Sequence, residues 1–367
     1  MPLYNARGAL WQPDWSSVCC GPWEKQPRNI TWEREIYPVR VRERKAHLES
    51  PLGLPVPQSN TVVTALVWSY PLEVFRIFVL SLRAHYEGDI VLLIYSKPPD
   101  DIVQFMEAQR VTPMPIVAPP DFSVRRFQDY ARVCRHGTYK LCLVADFKDV
   151  FFQANPFAGV PKPYPGLLLP EESKKIGQCI FNSAWMLKGY GPATKKTLAD
   201  KAVICSGLII GTPKGFLELS KRIVQYRASQ DMTRIEQGIR GQQLWGSGWD
   251  QAAVEYMAHT GKLDDLNVLM QPRGRGIVNT VGTLLSQDVI RWQDFLKPPW
   301  MDAEGMVLND DGTPSAVVHQ YDRIFKRTGD VLFGALRFSR TADGTRQRCT
   351  FTRNGYDLQK YNSTPCV

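Results

Sequence analysis

From Thr61 to Ala145 the sequence alternates strand-sized apolar runs with amphipathic helical stretches, and short joins leave little freedom in how they stack. Residues 61–68 form a β-branched run that suits a strand buried on both faces. Residues 71–85 place Leu72, Phe75, Val79 and Leu82 at helical spacing. A strand follows over 89–95, a helix over 100–109, a proline-broken strand over 111–117, a helix over 123–135 and a strand over 140–145. Strand–helix–strand repeats of this kind predict an α/β fold with a mainly parallel, Rossmann-like sheet flanked by helices. Ligands of such sheets lie at the carboxyl ends of the strands.

The remainder is less regular. A strand is expected over 202–211, running through Ser206-Gly207, with helices over 215–227 and 249–259. Residues 228–248, rich in Gly and Gln, read as a loop able to close over a ligand. Residues 1–60 hold Pro, charge and four tryptophans (Trp11, Trp15, Trp23, Trp32) without sustained period. Four indoles are out of place in a solvated tail, so this segment reads as an extension that wraps the main domain. The expected division is an N-terminal extension over 1–60, a main domain over 61–330 and a C-terminal extension over 331–367.

The net charge of +9 favours an anionic partner. The positive residues are scattered, and no basic helix, zinc finger or RNA-binding aromatic motif occurs, so nucleic acid is not an expected partner. No apolar run reaches the roughly 20 residues of a membrane span, and residues 1–13 lack the apolar region of a secretory signal. These features are compatible with cytoplasm, or with the Golgi lumen if an anchor lies outside this sequence. The 8 cysteines form no CxxC pair, which argues against a structural zinc site. Sequons at Asn29-Ile30-Thr31 and Asn362-Ser363-Thr364 leave the compartment open.

The chemistry concentrates in Tyr139-Lys-Leu-Cys-Leu-Val-Ala-Asp146-Phe-Lys-Asp149-Val-Phe-Phe-Gln153-Ala-Asn155-Pro156-Phe157. An apolar strand runs directly into two acids, which places them at its carboxyl end. Carboxylates there can hold a hard divalent cation, which neutralises the charge on a diphosphate leaving group. The two acids can share one metal, or divide metal and ribose between them. An isolated Asp-x-x-Asp would more often be a simple strand end; the preceding buried strand and the following Phe-Gln-x-x-Pro-Phe tail favour the metal reading.

This segment resembles the acidic metal-binding motif of glycosyltransferases with the GT-A fold. It is most similar to a group from plants, algae and large algal viruses that carries Asp-x-x-Asp-Val-x-Phe-Gln-x-Asp-Pro-Phe. Asn155 stands where that string has Asp. Three further segments resemble the same group in the same order. They are Cys179-Ile-Phe-Asn182-Ser-Ala-Trp185 with Tyr190-Gly191, then Ile204-Cys205-Ser206-Gly207-Leu-Ile-Ile-Gly211, then Val317-Val-His319-Gln320-Tyr321-Asp322-Arg323.

The resemblance implies a GT-A type fold and transfer of a sugar from a nucleotide-diphosphate donor, with Mn²⁺ or Mg²⁺ as cofactor. A glycan or glycoprotein is the implied acceptor. Counting back from Pro156-Phe157 puts Asp149 on the metal, with Asp146 as a further ligand or ribose contact and His319 as the third ligand. Ser206 and Gly207 would line the sugar pocket. Asp250 and Gln251 would meet the donor sugar, with Asp250 open as general base, sugar contact or helix cap. Arg126 or Arg125 would reach the diphosphate or ribose. Thr64, Leu66 and Val67 are candidates for base and ribose by position on the first strand. Gly274-Arg-Gly276 is a weaker candidate for a phosphate or acceptor loop. Cys179 and Cys205 are candidates for a disulfide, and Cys142 for a buried free thiol.

Two other readings compete. A nucleotidyltransferase also uses paired acids and a metal, but Val67-Trp68-Ser69-Tyr70-Pro71 lacks the Gly-rich basic loop it would need. A non-catalytic glycan- or nucleotide-binding module on the same fold is the stronger alternative.

Overall fold

The computed structural model describes residues 54, 56–95, 98–116, 122–228, 248–286, 292–295, 298–303, 305–322, 338–340 and 346–348. Residues 1–53 of the expected wrapping extension over 1–60, residues 229–247 of the expected loop over 228–248 and most of the C-terminal extension lie outside them.

The alternating half folds as its pattern dictates. Its strands are β1 (Thr61–Val67), β2 (Asp89–Ile94), β3 (Val111–Pro115) and β4 (Leu141–Asp146). Between them run α1 (Leu72–Arg83), α2 (Asp100–Ala108) and α3 (Phe122–Cys134). All pairings within this half are parallel, in the order β3-β2-β1-β4. Residues of β1 alternate between two buried layers. Val63, Ala65 and Val67 pack with Phe75, Phe78, Val79 and Leu82 of α1. Val62 and Leu66 pack with Phe127, Tyr130 and Ala131 of α3. Burial on both faces explains the unbroken apolar run. Pro113 and Pro115 are accommodated because β3 is the edge strand.

The sheet then turns mixed. β5 (Val150–Phe152) leaves it, and β6 (Leu167–Lys175), β7 (Ala202–Ile204), β8 (Leu208–Gly211) and β9 (Val268–Gln271) complete eight strands. β8 pairs antiparallel with both β4 and β6, β7 antiparallel with β6, and β9 parallel with β6. The strand expected over 202–211 is therefore interrupted: Cys205-Ser206-Gly207 separate β7 from β8. The mostly parallel mixed sheet, flanked by helices, is consistent with a Rossmann-like fold.

Helices α4 (Ile180–Leu198), α5 (Pro213–Ala228) and α6 (Trp249–His259) belong to the second half. α4 is kinked where Gly191 has φ 86° before Pro192, a conformation glycine adopts without steric cost. β10 (Val278–Thr280), α7 (Gly282–Ser286), α8 (Trp292–Phe295) and β11 (Val317–His319) follow. A second sheet has the order β10-β11-β5. β12 (Phe338–Arg340) and β13 (Arg346–Arg348) form an antiparallel pair.

Before β1, the backbone N–H groups of Gln58 and Ser59 donate to Asp89 Oδ2 at 3.0 and 3.2 Å, holding this stretch against the start of β2. Among the described residues no helix is long and apolar enough to cross a membrane.

Candidate metal centre

The chain leaves the large sheet at Asp146, the last residue of β4, and enters the small sheet at Val150. Between them Phe147 is buried against the rings of Phe75 and Phe78, which anchors the turn. β5 pairs antiparallel with β11 so that Val150 faces His319. The register is closed by Gln320 N–H donating to Asp149 O at 2.7 Å and by Tyr321 Oη donating to Lys148 O at 3.2 Å. Gln320 sits in the left-handed region at φ 63°, turning the chain away directly after His319.

Asp146, Asp149 and His319, the three expected ligands, thus converge: one ligand atom from each lies within 4.8 Å of the others. His319 Nε2 is 3.8 Å from Asp146 Oδ2 and 3.6 Å from Asp149 Oδ1. Their side chains are 1% (His319), 16% (Asp149) and 38% (Asp146) exposed, so imidazole forms the floor and carboxylates the mouth. His319 Nε2 is buried without a hydrogen bond.

These residues fit a divalent cation. Two donors each about 2.1 Å from one ion stand at most about 4.2 Å apart, so the acid–imidazole distances need little adjustment. Oxygen and imidazole donors suit Mn²⁺, among other metals. Burial by itself would lower the His319 pKa, but Cys205 and the Asp149 and Asp146 carboxylates outweigh it and hold it well above 6.5. The Tyr70 phenol is pushed up to about 12 by burial and by the fields of Asp146, Asp149 and Asp322.

The turn between β7 and β8 shapes the other side. Gly207 O accepts the Asp146 N–H at 2.5 Å. A Cβ on Gly207 would lie 2.3 Å from Asp146 Oδ2 and 2.9 Å from His319 Cε1, so only glycine allows the approach. Cys205 Sγ lies 3.1 Å from His319 Nδ1.

Beside the acids lies a polar floor. Arg126 Nη1 donates to Asp146 Oδ1 at 2.8 Å, and its Nη2 donates to Asp250 Oδ2 and to Ser206 Oγ, the latter at 3.3 Å. Ser206 Oγ lies 3.4 Å from Asp250 Oδ2 and 3.5 Å from Gln251 Oε1; Gln251 Nε2 donates to Asn182 Oδ1 at 2.9 Å. Burial tends to lower the Arg126 pKa, yet Asp250 and Asp146 overcome this and keep it charged. Burial raises the Asp250 carboxyl even against the pull of Arg126. Asp250 Oδ1 is buried without a partner.

The structure places the remaining candidates and corrects two expectations, the Asp250 helix cap and the Cys179–Cys205 pair. Gly248, not Asp250, caps α6, and Asp250 lies in the first turn with its side chain on Arg126. Arg126 is spent on two carboxylates, and Arg125 faces Asp129 at 3.7 Å. Thr64 is fully buried in mid-strand, in register with Val144; Leu66, paired with Asp146, is the first-strand candidate beside the acids, and Val67 is buried in the α1 layer. Arg273, before the Gly274 turn, pairs with Asp310 at 2.7 Å. Cys179 and Cys205 are not paired; both are buried free thiols, as is Cys142. Asn155 Oδ1 accepts the Phe157 N–H at 2.9 Å, a role an aspartate oxygen would fill equally. Gln153 fixes the neighbouring loop through Val307 and Ser315.

Sequence reasoning assigned no site role to Cys205, Asn182 or Tyr70. The first two lie within segments quoted for the resemblance, which was the available signal. No protein-family model matches the chain, and a search of curated proteins finds no significant match.

Proposed function

We propose that this chain is a metal-dependent glycosyltransferase of GT-A type, moving a sugar from a nucleotide-diphosphate donor to a glycan or glycoprotein acceptor. The observation that carries the reading is the convergence of Asp146, Asp149 and His319 at the carboxyl end of β4, with His319 Nε2 buried and unbonded. These residues come from two of the segments that resemble the family.

In this reading Asp149 Oδ1, Asp146 Oδ2 and His319 Nε2 would hold Mn²⁺ or Mg²⁺. A bound divalent cation supplies positive charge for a departing nucleotide diphosphate. Arg126 holds Asp146 by Oδ1 and leaves Oδ2 toward the histidine. Asp250, through its unpartnered Oδ1, and Ser206, Gln251 and Asn182 offer donors and acceptors to the donor's sugar hydroxyls. Arg126 keeps Asp250 oriented, a role in binding and positioning rather than as a free base.

The test is release of nucleotide diphosphate from a panel of nucleotide-sugars with Mn²⁺. The unaltered chain should turn over at least one donor. Asp149→Asn should lower that rate by at least about 100-fold with little change in melting temperature. Normal turnover by the variant would refute the site. Binding of a nucleotide-sugar and Mn²⁺ with no release, even with acceptors supplied, would favour the binding-module reading.

A further inference from the structure

Cys205 is one of four described free cysteines, all buried, and the one whose sulfur touches a residue of the metal centre. It opens the three-residue break between β7 and β8, and its own N–H is fixed on Pro170 O at 2.9 Å. Its Sγ stands 3.1 Å from His319 Nδ1, with both residues 1% exposed. His319 therefore has its ring nitrogens in two different surroundings: Nδ1 on a thiol, Nε2 on two carboxylates.

An imidazole gives a lone pair to a cation through one nitrogen only if the other carries the proton. Facing the acids, Nε2 must be the bare nitrogen, so Nδ1 must carry the hydrogen and needs an acceptor. The side chain in reach is the Cys205 sulfur, a weak acceptor and also a weak donor. It can accept Nδ1–H and so hold the ring with Nε2 toward the acids, which an apolar side chain at this position would not do.

We propose that Cys205 is a positioning residue for the metal centre, holding the His319 ring by Nδ1 so that Nε2 is presented to a divalent cation beside Asp146 and Asp149. The inference rests on the metal-dependent reading of this site, but concerns binding of the ion and not transfer. The sulfur is neither a ligand nor a nucleophile here: the grouped ligand atoms come from Asp146, Asp149 and His319.

The experiment measures affinity for Mn²⁺ alone, by the loss of the free-ion paramagnetic resonance signal, with no nucleotide present. Cys205→Ala and Cys205→Val should weaken binding about 10-fold or more, the usual scale for losing a group that orients a metal-bound histidine. Cys205→Ser, which keeps a donor–acceptor group, should stay within about 3-fold of the unaltered protein. Thermal melting of the metal-free variants checks the packing role. A purely structural cysteine would give affinity losses that follow the melting temperature, with Ser no better than Val. With Zn²⁺ as a diamagnetic probe, ¹⁵N-histidine spectra should show a slowly exchanging His319 Nδ1–H in the unaltered protein and lose its protection in the Val variant. Equal Mn²⁺ affinity in all four proteins would overturn the assignment of Cys205 while leaving the metal centre standing. No Mn²⁺ binding by the unaltered protein would overturn both.

Discussion

Two groups of carboxylates lie side by side at the carboxyl end of β4 and are treated in opposite ways. Asp146 and Asp149 stand at a mouth, partly open, with a buried imidazole beneath them. Asp250 lies in the adjoining floor, sealed from solvent, with the Arg126 guanidinium against it. Further along α6, Glu255 is buried with neither oxygen hydrogen-bonded. Burial, then Glu172 and Cys179, push its carboxyl well above 4.5. Arg126 serves both groups, through Nη2 on Asp250 and Nη1 on Asp146 Oδ1, and the difference lies in access: the inner acids are sealed, whereas Asp146 Oδ2 and Asp149 Oδ1 face His319 Nε2 at the mouth. Partly open carboxylates beside a buried imidazole are a donor set that can take a cation.

The contrast can be broken most sharply at Arg126. Arg126→Met leaves Asp250 buried with no countercharge, which should cost about 3–5 kcal/mol in chemical denaturation. Adding Asp250→Asn should recover a substantial part of that loss. A single-variant cost below about 1 kcal/mol would mean that the floor is not held by internal neutralisation.

A smaller effect sharpens the outer side. Gly207→Ala puts a methyl group against Asp146 Oδ2 and the His319 ring, so one ligand must move. Mn²⁺ affinity should fall about 10-fold. Unchanged affinity would show that the cradle is looser than its contacts imply.

The smallest effect concerns the inner acid. Because the folded chain keeps a proton on Glu255 that the unfolded chain releases, this residue's contribution to stability falls as pH rises through 4.5 toward its raised folded value. Glu255→Gln removes that dependence. Its stability should decline less than the parent's between pH 4.5 and neutrality, and exceed the parent's near neutrality by about 1 kcal/mol. Parallel pH profiles from the two proteins would contradict the assignment of a buried, protonated carboxyl.

The sequence made the parallel half legible and the other half only in fragments. β1, β2 and β4 are buried on both faces, so each reads as an apolar run bounded by polar joins. α1 and α2 match expectation to within two residues. By contrast β7, β10 and β11 have three residues each, too few for periodicity, and exist through their partners. α4 carries Gly191-Pro192 within it, which breaks its helical period and hid it. The acids at the end of β4 were readable because the strand delivers them directly. His319 was reachable only through resemblance, since its place beside Asp149 comes from its pairing with Val150 across 169 positions of chain, which local pattern cannot encode. Arg126 was visible as a basic residue near the metal strand, yet its attachment to Asp250 depends on the docking of α6, about which its neighbours in sequence say nothing.

The acidic turn is also the crossing from the large sheet to the small one, and that gives its length a meaning. Phe147, Lys148 and Asp149 are the whole bridge, and their number decides which residue of β5 arrives opposite His319. In a strand pair, slipping by a single position exchanges the two faces. The interval between the aspartates therefore acts as a ruler: it gauges the gap between two layers and, by doing so, brings carboxylate and imidazole to the same spot.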